Sequence, residues 1–197
     1  SGPIGGSGKI VEADETYIGK RDTKYVSPHR RDRPYTKKGK SGGAQKRVVV
    51  SLVERGGSVR SFHVHQATKK SVRDILTRNV PRETALMTDE SKLYTETGRE
   101  YEAHETVEHT AGEYVRGLAH TNTIEGFFSI FKRGMKGVYQ HCAEHHLHRY
   151  LAEYDFRYSN RVALGCDDST RANRVLQSVV GKRLTYRGSR PATMLAA

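Results

Sequence analysis

Apolar residues run together or alternate at strand period through the first half of the chain, and fall at helical period in the second. Lys9-Ile10-Val11-Glu12-Ala13-Asp14-Glu15-Thr16-Tyr17-Ile18 is apolar and β-branched with an acid near its centre, which predicts a strand over roughly 9 to 18. Two more strands are predicted at Arg47 to Glu54 and Val59 to His65, and the turn Arg55-Gly56-Gly57-Ser58 makes them a hairpin. Behind Thr68 or Ser71 as a cap, Val72, Ile75, Leu76 and Val80 share one helical face, and Pro81 stops that helix. Thr84 to Asp89 and Ala103 to Val107 read as short strands with a helical turn between them. Further on, Ile124, Phe127, Phe128, Phe131 and Met135 stand at i, i+3, i+4, i+7 and i+11. This apolar stripe leaves Asn122, Glu125, Ser129, Lys132 and Lys136 on the opposite face. A second helix, about Ala143 to Tyr158, aligns Leu147, Tyr150, Leu151, Tyr154 and Tyr158. The order of elements is that of an α/β domain, and no internal repeat is visible.

The segments without periodicity are the basic ones. The formal charge is +12 over 197 residues, and its placement is uneven. Residues 20 to 47 hold eleven Lys/Arg against Asp22 and Asp32, and residues 171 to 190 hold six and no acid. Both read as polyanion-binding surfaces, the first as a long loop rich in Gly and Pro. Lys37, Lys38, Lys40, Lys46 and Arg47 of that loop, with Lys132, Arg133 and Lys136, are the candidate DNA contacts. Mean hydropathy is −0.73 and no apolar run approaches 18 residues, which predicts no membrane partner. Cys142 and Cys166 form no CxxC pair, which excludes a Cys-based zinc ribbon within the chain and fits a reducing compartment. The Gly-rich residues 1 to 8 read as a linker, residues 9 to 161 as the domain proper, and residues 162 to 197 as a basic tail. Because the chain opens on Ser1 rather than Met, the expectation is an excised domain.

Three acids carry the candidate chemistry. Asp14 lies within the first strand, Asp89 closes a second, and Glu125 sits on the polar face of a helix with 35 residues between it and Asp89. An ionised carboxylate in an apolar strand calls for a cation or a donor. Two strand-borne and one helix-borne carboxylate suit the pair of divalent cations used in phosphodiester chemistry, so a nuclease or strand-transfer enzyme is the first hypothesis. By parity Glu12 faces the same way as Asp14 and Glu15 the other way. Asn122 shares the face of Glu125, and Lys132 lies two turns along it, placed to hold a phosphate.

Val11-Glu12-Ala13-Asp14-Glu15-Thr16-Tyr17-Ile18-Gly19, Met87-Thr88-Asp89-Glu90-Ser91, His120 to Phe127 and His146 to Arg161, taken together, resemble the DDE-type transposases of bacterial insertion sequences. The likeness covers about residues 8 to 161, and the family's three acids and following Lys are met by Asp14, Asp89, Glu125 and Lys132. It implies an RNase H-like fold, a mixed central sheet flanked by helices, and two Mg²⁺ or Mn²⁺ ions at Asp14, Asp89 and Glu125. It also implies DNA cleavage and strand transfer at transposon ends by an oligomer, with Asn122 a ligand or a neighbour, in a bacterial cytoplasm beside the nucleoid. The zinc ribbon common in this group is lacking, so an N-terminal recognition domain is expected upstream. Two other readings stand beside this one. A non-catalytic DNA-binding domain would need none of the acids. His141-Cys142-Ala143-Glu144-His145 is formally HxxEH, an inverted zinc-peptidase motif, but it needs a third ligand that no nearby helix offers.

Overall fold

Val48, Val49, Val50, Leu52 and Val53 are all buried, so the strand that carries them is covered on both faces and sits inside a sheet. The computed structural model describes residues 2–22, 45–107 and 120–182. Five strands, β1 (Ile10–Ile18), β2 (Arg47–Glu54), β3 (Val59–Val64), β4 (Ala85–Asp89) and β5 (Ala103–Val107), form one sheet in the order β3-β2-β1-β4-β5. β1, β2 and β3 pair antiparallel, whereas β4 runs parallel to β1 and β5 parallel to β4. This mixed sheet, with helices on both faces, is the RNase H-like arrangement expected from the sequence.

The pleat sorts β1 by parity. Val11 and Ala13 join Val50, Leu52 and Leu86 in a cluster with Val72, Ile75 and Leu76 of α1 (Lys69–Asn79). On the other face Val49, Val53 and Val59 meet Ile124, Phe127, Phe128 and Phe131 of α3 (Asn122–Gly134) and Leu147, Leu151 and Tyr154 of α4 (Leu147–Ser159). The short α2 (Thr95–Gly98) fills the predicted helical turn between β4 and β5. α1 starts where predicted, with both candidate caps at work: Thr68 Oγ1 accepts from the Ser71 N–H at 3.1 Å, and Ser71 Oγ accepts from the Thr68 N–H at 2.9 Å.

Three segments differ from the sequence reading. The Gly-rich opening is docked rather than slack: Ile4 is 2% exposed, its N–H donates to the Asn79 carbonyl at 2.8 Å, and Gly5 adopts φ +93°. A Cβ on Gly5 would stand 2.7 Å from Thr84 Oγ1, so only glycine fits there. α3 runs into a π turn (Met135–Tyr139) ended by Gln140 at φ 55°, and a 3-10 turn (Glu144–His146) precedes α4. The chain divides into two compact units, Ser1–Ser159 and Asn160–Ala197. In the second, the expected tail contains α5 (Asp168–Val179), capped by the Asp167 side chain, which accepts from the Thr170 N–H at 2.7 Å.

Candidate active site

β1 and β4 are neighbours and parallel, with Thr88 aligned to Ala13, so one step further along the register brings Asp89 beside Asp14. Asp89 and Met87 share parity with Asp14 and Glu12, which places both Asp on the face that α3 covers. α3 packs on β1 and β2 and carries Glu125 in its first turn. Here Glu125 Oε1 accepts from Thr121 Oγ1 at 2.8 Å. Asn122 is exposed one turn before Glu125.

Electrostatics tie the acids together. Burial, with Asp89, Glu15 and Glu125 adding negative charge, pushes the Asp14 carboxyl up to about 8, although Asp14 Oδ1 accepts from the Glu15 N–H at 2.7 Å. Burial also raises Glu15, and Asp89 adds to that. The donor set is carboxylate oxygen throughout, the type that suits Mg²⁺ or Mn²⁺, and Asp14 sits where a cation would relieve both burial and repulsion. In charge and donor type the residues fit such ions. Among the described residues, however, no three His, Cys, Asp or Glu side chains are gathered closely enough to hold a metal ion. Asp14 and Asp89 are thus aligned, and Asp89 and Glu125 both act on Asp14, without the three forming a chelate.

The other predicted residues divide. Lys132 is half-buried near the end of α3, Arg133 and Lys136 are exposed, and all three lie at or just past the helix C-terminus, where cations are favoured. Lys46 is half-buried. Arg47, expected to face a phosphate, is instead buried: its guanidinium holds the Cys142 carbonyl and pairs with Asp22 Oδ1 at 3.0 Å. Its position at the start of a fully covered strand overrides the charge pattern around it. Lys37, Lys38 and Lys40 lie outside the described residues.

Glu12 was expected to face the site with Asp14. It shares that face but is 0% exposed, and its carboxyl group accepts from Arg55 Nε at 2.6 Å and from the Ile124 N–H at 2.9 Å. The Arg55 guanidinium also donates to the His120 carbonyl at 2.7 Å. The register of β1 with β2 brings this pair together, since Val11 aligns with Glu54 and puts Arg55 beside the start of β1. Sequence reasoning also missed Tyr94, fully buried, whose hydroxyl donates to Glu15 Oε2 at 2.9 Å. Burial and the nearby acids hold its phenol well above the usual range. Nothing local marks it. The HxxEH segment does not lie on a single helix. Glu144 Oε2 accepts from the Asp22 N–H at 2.9 Å, and its other oxygen lies 3.4 Å from His63 Nε2, so this Glu is committed to structure.

A family model described as an ISXO2-like transposase domain matches residues 5–159. The chain belongs to that family. No curated protein sequence matches this transposase domain. Among solved structures, the Mos1 transposase paired-end complex with left transposon end aligns with 83% of the domain's chain and 52% of its own, at 13% identity and a TM-score of 0.42. A pre-cleavage Mos1 transpososome aligns with 79% and 55% at 12% identity and 0.31, and the Mos1 mariner paired end complex with Mn with 79% and 54% at 12% and 0.28. The transposase domain therefore spans about half the length of these chains, and the superpositions are too loose to carry over any residue or ligand. No helix among its described residues is long and apolar enough to cross a membrane.

Proposed function

We propose that this domain is the catalytic core of an insertion-sequence transposase, cleaving DNA and transferring strands at element ends with two Mg²⁺ or Mn²⁺ ions. The observation that carries the reading is the alignment of Asp14 and Asp89 on adjacent parallel strands, on the face where α3 brings Glu125, with the Asp89 and Glu125 carboxyl groups both acting on Asp14. Asp14, Asp89 and Glu125 would hold the ions. Bound there, such cations would supply activation of the attacking oxygen, from water and then from the freed 3′-hydroxyl, and stabilisation of the leaving 3′-oxygen. Glu125 would give up its bond to Thr121 to serve as a ligand. Asn122, one turn away, borders the same space. Lys132, Arg133, Lys136 and Lys46 hold phosphates and so fix the strand's position without reading its bases.

DNA, at element ends and at targets, is the partner this chemistry requires, and a dimer or larger assembly of the chain would pair two ends. Sequence-specific end recognition belongs to a part of the protein outside these elements. The test is Asp14→Asn and Asp89→Asn in a plasmid-nicking assay with Mg²⁺. Each amide keeps the shape and removes the charge, so nicking is expected to fall at least 100-fold while DNA affinity and the circular dichroism spectrum stay unchanged. Nicking by either variant at the parent's rate, at equal metal, overturns the reading.

A further inference from the structure

Glu12 is fully buried two residues before Asp14 and on the same face of β1, yet it holds no place in the proposed chemistry. Its carboxyl group reaches across to α3 and takes the N–H of Ile124, the residue before Glu125. That N–H is one of the donors a helix leaves unpaired in its first turn, and the Thr121 side chain at the N-cap does not serve it. An acid at this point also meets the positive end of the helix dipole. The second oxygen is held by Arg55 Nε, with His120 Nδ1 3.3 Å away, and Arg55 in turn holds the His120 carbonyl at the entry to α3. One buried carboxyl group thus ties the strand carrying Asp14, the turn after β2 and the first turn carrying Glu125.

The geometry points to Glu12 as a positioning residue for the metal site. It sets the separation between Asp14 and Glu125 by pinning the start of α3 to β1, so that this spacing exists before any cation arrives. The inference rests on the reading of Asp14, Asp89 and Glu125 as the metal-holding residues. Glu12 stands two residues from Asp14 along β1, and its partner Ile124 stands one residue from Glu125, a short lever on either side. A buried carboxyl group with two such donors has little freedom to rotate, which makes it a stiff tie.

Glu12→Gln tests this. The amide oxygen can still accept from Ile124, but the amide nitrogen then faces the Arg55 guanidinium, donor against donor, and the tie loosens. Mn²⁺ binding, followed by calorimetry and by electron paramagnetic resonance on protein that remains folded, is expected to weaken at least 10-fold. The Mn²⁺ concentration giving half-maximal nicking should rise in parallel, with the KM for DNA unchanged. Glu12→Asp, which keeps the charge but shortens the reach, should fall between. If Glu12→Gln does not fold, Glu12→Leu combined with Arg55→Met removes both bonds of the tie without leaving an unpaired buried charge, and the same loss of Mn²⁺ affinity is expected of it. A lower melting temperature with Mn²⁺ affinity within twofold of the parent means Glu12 is only a structural ion pair, and overturns the inference. Asp14→Asn serves as the control. If it binds Mn²⁺ as the parent does, the metal-site reading itself fails; if it loses Mn²⁺ while Glu12→Gln keeps it, only the positioning role fails.

Discussion

At Asp14, burial and three neighbouring carboxyl groups all favour the proton, and the group stands near 8 rather than near 4. The sign of the consequence follows from linkage. A folded-state value above the unfolded one means the contribution to stability is complete below about pH 4 and is lost as pH rises through about 8. Metal-free protein is therefore expected to melt at lower temperature at pH 8.5 than at pH 5.5, and Asp14→Asn to flatten that slope and raise the melting temperature at pH 8.5 by several degrees. Thermal melts in a chelator across this range check it; a steeper slope in the variant is the contrary result. Glu15 and the half-buried Asp155, which accepts from the Ser61 N–H and hydroxyl at 2.7 Å each, shift in the same direction and remain in both proteins. Asp14, which lies within β1 as the sequence predicted, is thus a group whose ionisation opposes folding.

Among the elements, those with strong local punctuation were legible. β2 starts at Arg47 and ends at Glu54 as predicted because Arg55-Gly56-Gly57-Ser58 can only turn, and α1 is bracketed by the Thr68 and Ser71 caps and by Pro81. The π turn after α3 and the helix α5 were not legible. The first follows Gly134, which packs under Tyr154 in a tertiary contact that the local sequence does not show; the second is short of apolar residues at its start and buries none. The partners of Glu12 were not legible for the same reason: Arg55 and Ile124 are 43 and 112 residues away in sequence. At Gly134 the backbone is helical, yet a Cβ would collide with the Tyr154 hydroxyl. Gly134→Ala should consequently cost about 1 to 3 kcal/mol, despite alanine's better helix propensity, because Tyr154 must leave its edge-to-face contact with Phe131. Urea denaturation measures this, and a stabilised variant would mean that α3 and α4 separate at little cost.

On the scale of the whole molecule, the excess of positive charge is the property most exposed to solution conditions. Lys37, Lys38 and Lys40 fall in the stretch of the sequence with net charge +9 between residues 20 and 47. Replacing all three by Gln is expected to weaken binding to every duplex alike. It should also flatten the dependence of log K on log salt by up to about one unit for each phosphate no longer neutralised. Fluorescence anisotropy over a salt series on two unrelated duplexes reads both quantities. Loss of preference for one duplex with an unchanged salt slope would make this stretch a base reader. The sequence could supply this expectation because charge needs no coordinates, whereas the burial of Arg47 at the edge of the same stretch needed the sheet.

The pleat of β1 makes it a two-track element. Even-numbered positions Glu12 and Asp14 serve the layer beneath α3, and odd-numbered Val11 and Ala13 serve the layer beneath α1. With antiparallel β2 on one side and parallel β4 on the other, the strand has no free edge along which to absorb a frame change. Deleting one residue at its start would transpose the tracks, sending carboxyl groups into the aliphatic layer and alanine and valine toward the layer beneath α3. The tie to α3 and the pairing of Asp14 with Asp89 would vanish in the same step. Point substitutions can grade the function of this strand, but a shift of one position can only abolish it.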